Sequence, residues 1–166
     1  MRYFVMTCLF LISLILQSTL FSHLTVAGVK PDLVLILVVL YALLHGPKEG
    51  VLMGLAGGLL QDLLFGQNIG MNALTKIIVG YIFGVLDRKI YKENLLIPIA
   101  ALFLGTFINE TILHLLRLAG GTSVTYFSHV RTVIFSTAVY NSCLAPFIYG
   151  RFYKSSQKGV LRITDG

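Results

Sequence analysis

EGVLMGLAGGLLQDLLFG, residues 49–66, is apolar enough to enter lipid, yet it holds glycines at 50, 54, 57, 58 and 66 and a carboxylate at Asp62. Glycine destabilises an isolated helix by about 1 kcal/mol relative to alanine, and an ionised group in hydrocarbon is costly, so both need a structural reason. Counting from Gly46, the glycines Gly46, Gly50, Gly54 and Gly58 recur at every fourth residue. On a helix that spacing lines them down one face, where the missing side chains let another backbone come close. Gly80 and Gly84 repeat the device. Two occupants suit such a groove: a neighbouring helix of the same chain, or the transmembrane helix of a partner.

The rest of the chain agrees with a membrane setting. Of 166 residues, 56% are hydrophobic and 12% charged, with a mean hydropathy of +0.84, against about one-quarter charged residues in soluble domains. Apolar runs at 3–22, 31–45, 47–65, 72–86, 95–118 and 127–149 predict six transmembrane helices in an all-α bundle, judged against about 20 residues per crossing. The runs at 31–45 and 72–86 are short for a crossing, which predicts that they sit inside the bundle, meet thinned lipid or recruit flanking residues such as Lys30. A membrane domain over 1–150 and a basic tail over 151–166 account for the whole chain.

Charge sets the orientation. If the N-terminus is cytoplasmic, that side holds nine basic residues, among them Lys48, Arg88, Lys89 and Arg151, while the outer side holds three, Lys30, Arg117 and Arg131. Both termini are therefore expected in the cytoplasm. The net charge of +6 then reflects topology and attraction to anionic lipid, with no nucleic-acid partner expected. Small residues at Thr25, Val26 and Ala27 would suit a signal-peptidase site, but the preceding apolar run is about twice an ordinary signal core and Gln17 interrupts it. Cys8 and Cys143 fall within predicted spans and are expected to be small buried residues rather than a disulfide.

The breaks between spans have readable chemistry. Pro31 suits a first helical turn and Asp32 beside it suits a positive helix end. In HGPKE, residues 45–49, glycine can cap one helix while proline opens the next, giving a tight hairpin. Pro98 also falls in a first turn, and Pro146 is placed to kink or end the last helix.

Buried charges predict pairs. Asp62, late in one span, and Lys76, early in the next, should lie at similar depth and neutralise each other, offsetting about 2.5–3.5 kcal/mol apiece at the bilayer centre. The pair would lock the hairpin or serve a relay. Glu110, His114 and Arg117 share one side of the fifth span, with Asn109 adjacent and Arg131 entering from the same side, so an ion pair between Glu110 and an arginine is expected. Glu110 and His114 alone are too few for a metal site, and no HExxH, GxSxG, Walker or GxGxxG motif is present. Neither an enzyme, a metal nor a cofactor is expected.

The order of these features resembles the MreD family of bacterial rod shape-determining proteins. It rests on QSTL at 17–20, KPDL at 30–33, GPKEG at 46–50, GGLLQDLLFG at 57–66 and GMNAL at 70–74, and is densest over 31–88. Pro31, Asp32, Gly50, Gly54, Gly58, Asp62, Gly66 and Gly70 occupy the family's characteristic positions. From about residue 95 onward the likeness is one of hydropathy.

What the resemblance implies is a non-catalytic, multi-pass scaffold in the bacterial inner membrane. MreD proteins belong to the elongation machinery that maintains rod shape. They associate with the bitopic protein MreC, through its transmembrane helix and juxtamembrane segment, and indirectly with the peptidoglycan polymerase and transpeptidase and with MreB. The bundle also resembles the S-components of energy-coupling-factor vitamin transporters, which makes a substrate-binding subunit the alternative; such a binder needs a closed outer pocket where aromatic and polar groups converge. Without tryptophan, and with Tyr126 and Phe127 as its main outer-loop aromatics, the sequence favours the scaffold. A channel or proton carrier using Asp62 and Glu110 would need a continuous hydrated path.

Overall fold

The structure, a computed structural model, describes residues 2–23, 29–65, 69–86, 96–121 and 133–158. Among them are six α-helices: α1 (Arg2–His23), α2 (Leu33–His45), α3 (Pro47–Phe65), α4 (Met71–Leu86), α5 (Leu96–Ala119) and α6 (Phe135–Lys158).

Helix α2 is the hub. Every residue from Leu33 to Leu44 is buried, and α2 packs against each of the other five helices. These surround it in the order α1, α3, α4, α5, α6, each touching the next along that series. Enclosed by the other five helices, α2 need not match the bilayer by itself, which is how 13 residues, about 20 Å of helix, serve where a crossing needs about 30 Å. Of the alternatives open to the short run at 31–45, the position inside the bundle is the one that describes α2. Helix α4 instead keeps one outward face, with Leu74, Tyr81 and Val85 exposed.

Local chemistry fixes both ends of α2. The Asp32 side chain accepts from Leu35 N at 2.9 Å as N-cap. At the other end Gly46 takes φ +89°, which side-chain-bearing residues rarely adopt, and its N–H reaches Ala42 O at 2.9 Å. Pro47 then opens α3.

The glycines of α3 face α4, the most extensive helix pair in the bundle. A Cβ on Gly50 would strike the Gly80 carbonyl, one on Gly54 the Lys76 carbonyl, and one on Gly58 the Ala73 backbone; one on Gly84 would strike Pro47 and Gly46. The groove is thus filled from within the chain, by backbone, and is not open to a partner's helix. Gly57 points differently: its Cβ would meet Val34 Cγ1 at 2.9 Å and Phe10 Cε1 at 3.0 Å. The opposite side of α3 carries an exposed stripe of Leu52, Leu55, Leu59 and Leu63.

Helix α5, with 24 residues, is the one described helix long and apolar enough by itself to cross a membrane. The last helix departs from expectation. It begins at Phe135, preceded by a wider π-type turn at 133–134, and runs through Pro146 to Lys158, so the proline does not end it and the helix continues beyond residue 150; positions 127–132 of the expected span lie outside the described residues. Cys8 is half-buried and Cys143 exposed, both as free thiols, so Cys143 looks outward from the bundle rather than into it.

Candidate functional site

Alternation of six helices brings the C-terminal halves of α1, α3 and α5 together with the N-terminal ends of α2, α4 and α6, at the end remote from the chain termini. There a cavity of about 620 Å³ opens, lined by polar groups from all six helices or the turns that start them, including Gln17, Asp32, Gln61, Asn72, Glu110 and Thr137. The opposite end holds a separate cluster, in which Glu49 accepts from Tyr3 Oη at 3.1 Å and Tyr41 Oη at 3.5 Å while the His45 ring stacks on Tyr41.

Asp32 is the centre of the cavity floor. Its Oδ2 pairs with Lys76 Nζ at 2.8 Å, the lysine being fully buried. Oδ1 accepts from Leu35 N and, at 3.4 Å, from Gln17 Nε2. The Asp32 N–H donates to Asn141 Oδ1 at 3.0 Å, and Asn141 Nδ2 donates to Thr106 Oγ1 at 3.0 Å. One carboxylate residue thereby joins α1, α2, α4, α6 and, through Asn141, α5. Such a network holds the helices where apolar attraction between them is weak, because lipid competes equally well for apolar surface.

The expected Asp62–Lys76 pair does not form. Asp62, buried at 1% exposure, turns to the start of α4 and accepts four hydrogen bonds. Oδ2 takes Gly70 N at 2.9 Å and Ala73 N at 3.1 Å; Oδ1 takes Asn72 N at 3.2 Å and Asn72 Nδ2 at 2.8 Å. It is a cap supplied by the preceding helix. Three of these donors are backbone groups that no helical carbonyl can satisfy, and the helix dipole favours a negative charge there. With its lone pairs so occupied, Asp62 leaves the ammonium to Asp32.

On α5 the shared side splits. Glu110 and Arg117 line the cavity, whereas His114 is buried at 1% exposure and is not part of the lining. Asn109 is fully buried and donates to Glu110 Oε1 at 3.2 Å. Among the described residues no arginine pairs with Glu110, and the ion pair present is Lys76–Asp32. Arg131 lies outside the described residues. Charge and glycine spacing do not point to Gln17, Asn141 or Thr106 as members of a site. An amide within an apolar run, as at Gln17 and Asn141, is the signal that could have found the first two.

Among the described residues no three histidine, cysteine or carboxylate side chains gather to hold a metal. Among the described residues, Lys76 is met by Asp32 and Asp62 by backbone and amide donors, and the bundle with its polar end defines a multi-helix protein. The family model for rod shape-determining protein MreD matches residues 1–158, and the chain belongs to that family, whose members are non-catalytic shape-determining membrane proteins. No curated protein and no solved structure matches the chain.

Proposed function

We propose that the protein is a multi-pass scaffold of the rod complex in the bacterial inner membrane, and that its remote-end cavity receives the juxtamembrane segment of MreC. The observation that carries this reading is the cavity itself: a polar recess built at the end of an apolar bundle in a member of the MreD family. The excess of basic residues near the termini supports a cytoplasmic location for them, which turns the cavity outward. Since α4 fills the glycine groove, the MreC helix needs another surface. The leucine stripe Leu52, Leu55, Leu59 and Leu63 is exposed and leads toward Gln61 and Phe65 at the cavity rim. Through MreC the scaffold connects to the peptidoglycan polymerase and transpeptidase and to MreB, while the basic C-terminal segment meets anionic lipid.

The test is cysteine crosslinking in membranes with co-expressed MreC. Cysteines at Leu59, Leu63 and Phe65 should capture MreC, and cysteines at the glycine positions facing α4 should not. Capture confined to other helices would refute the proposed surface.

A vitamin-binding subunit built like an S-component is the competing reading, and a cavity of ligand size bears on it. Its described lining is mostly polar and charged, interleaved with Val29, Pro31, Met71, Leu113 and Val133, with Phe65 the single aromatic ring, and it is part-open rather than enclosed. That composition favours a peptide segment over a buried aromatic or apolar small molecule.

A further inference from the structure

Among the described residues that line the cavity, the charges outside the Asp32–Lys76 pair do not balance. Asp32 is neutralised by Lys76 at 2.8 Å, and Asp62, held by four N–H donors at the start of α4, is not part of the lining. That leaves Lys30 and Arg117 against Glu110 in the lining. Among the described residues neither cation has a hydrogen-bond or ion-pair partner. Glu110, which accepts from Asn109 Nδ2 at 3.2 Å, lies within electrostatic reach of Arg117 and offsets one of the two positive charges, leaving an excess of one. Gln61 Oε1, also at the cavity, is buried and accepts no hydrogen bond. A buried carbonyl oxygen left without a donor is unfavourable, and an occupant bearing an N–H or O–H would relieve it.

We infer that the segment entering this cavity is acidic, presenting a carboxylate to Lys30 and Arg117 and an N–H or O–H donor to Gln61. This rests on the reading of the cavity as the docking site for MreC's juxtamembrane segment, and it adds the chemistry that selects the segment. A basic segment would meet two like charges, and an apolar one would leave the cations and the Gln61 oxygen unsatisfied. The floor pair stays intact on this reading, because the incoming carboxylate has its own cations and does not compete with Asp32 for Lys76.

The experiment uses the full chain and full-length MreC in lipid nanodiscs. A cysteine at Phe65 first reports whether MreC occupies the rim; no crosslink in the otherwise unaltered protein overturns the site reading and this inference together. Affinity is then measured for Lys30→Glu, Arg117→Gln and the K30E/R117E double variant. Lys30 is exposed, so Lys30→Glu should melt like the parent and serves as the variant free of folding loss. The double variant should bind MreC about tenfold or more weakly, and binding by the unaltered protein should fall as salt rises. A retained crosslink with unchanged or tighter binding by Lys30→Glu and the double variant would overturn the acidic assignment while leaving the docking site in place. Gln61→Leu should also weaken binding; equal affinity would remove the donor from the inference.

Discussion

Lys76 Nζ lies 2.8 Å from Asp32 Oδ2, joining the middle of the bundle's most tightly packed hairpin to the N-cap of its central helix. Breaking a buried pair by removing one partner leaves an uncompensated charge and costs about 3–5 kcal/mol, whereas removing both is often close to neutral. Asp32→Asn and Lys76→Met should each lower the thermal midpoint of the purified protein substantially. The D32N/K76M double variant should recover most of the loss, helped by asparagine's own aptitude as an N-cap. A double variant less stable than either single one would contradict the pairing.

Asp62 predicts a different pattern. Asparagine there keeps one acceptor oxygen but aims an N–H₂ at backbone donors, so Asp62→Asn should cost about 1–3 kcal/mol. Because Asp62 and Lys76 share no partner, its effect should add to that of Lys76→Met within about 0.5 kcal/mol. Exchanging the two residues should rescue nothing. A stable swapped protein in detergent melting would restore the pair that the helix geometry denies.

The glycine stripe can be probed by size. At Gly54 and Gly58 a new Cβ meets the α4 backbone, which cannot step aside. Gly54→Leu and Gly58→Leu should therefore separate α3 from α4 and abolish folding, and even alanine should cost about 1–3 kcal/mol through overpacking. Gly57→Ala meets the side chains of Val34 and Phe10, which can shift, and should be milder. On the proposed function, loss of MreC binding in the leucine variants should track loss of folded protein in size-exclusion chromatography. A folded Gly54→Leu protein that has lost only MreC would reopen the groove as a partner surface.

These outcomes show what the sequence could carry. Spacing alone places Gly50, Gly54 and Gly58 on one face, and the HGPKE turn marks the α2–α3 hairpin, because both depend on residues a few positions apart. Matching charges by depth misassigns the partner of Lys76 for the converse reason. It offers Asp62 alone and leaves Asp32 as a helix-end group, whereas the outcome depends on which carboxylate the four donors at the start of α4 occupy, a fact of three-dimensional placement. The role of α2 is half legible: its shortness says "inside", but only the arrangement of the other five helices says "centre". Asn141 lies 109 positions from Asp32, and no local pattern joins them.

That distant contact makes the most discriminating cycle. Asn141 accepts the Asp32 N–H and passes a donor to Thr106 Oγ1, so each end depends on the amide between them. Asn141→Leu should cost about 1–3 kcal/mol, since it strands a buried N–H. Thr106→Val alone should also destabilise, because it leaves the Asn141 N–H₂ without that acceptor. In the Asn141→Leu background, however, Thr106→Val should be nearly neutral, as the hydroxyl has lost its donor. Hydrogen exchange adds a local readout: the Asp32 amide should exchange faster in Asn141→Leu and stay protected in Thr106→Val. Additive losses, or equal protection of that amide in both variants, would mean that α5 and α6 are held to the cavity floor by packing rather than through Asn141.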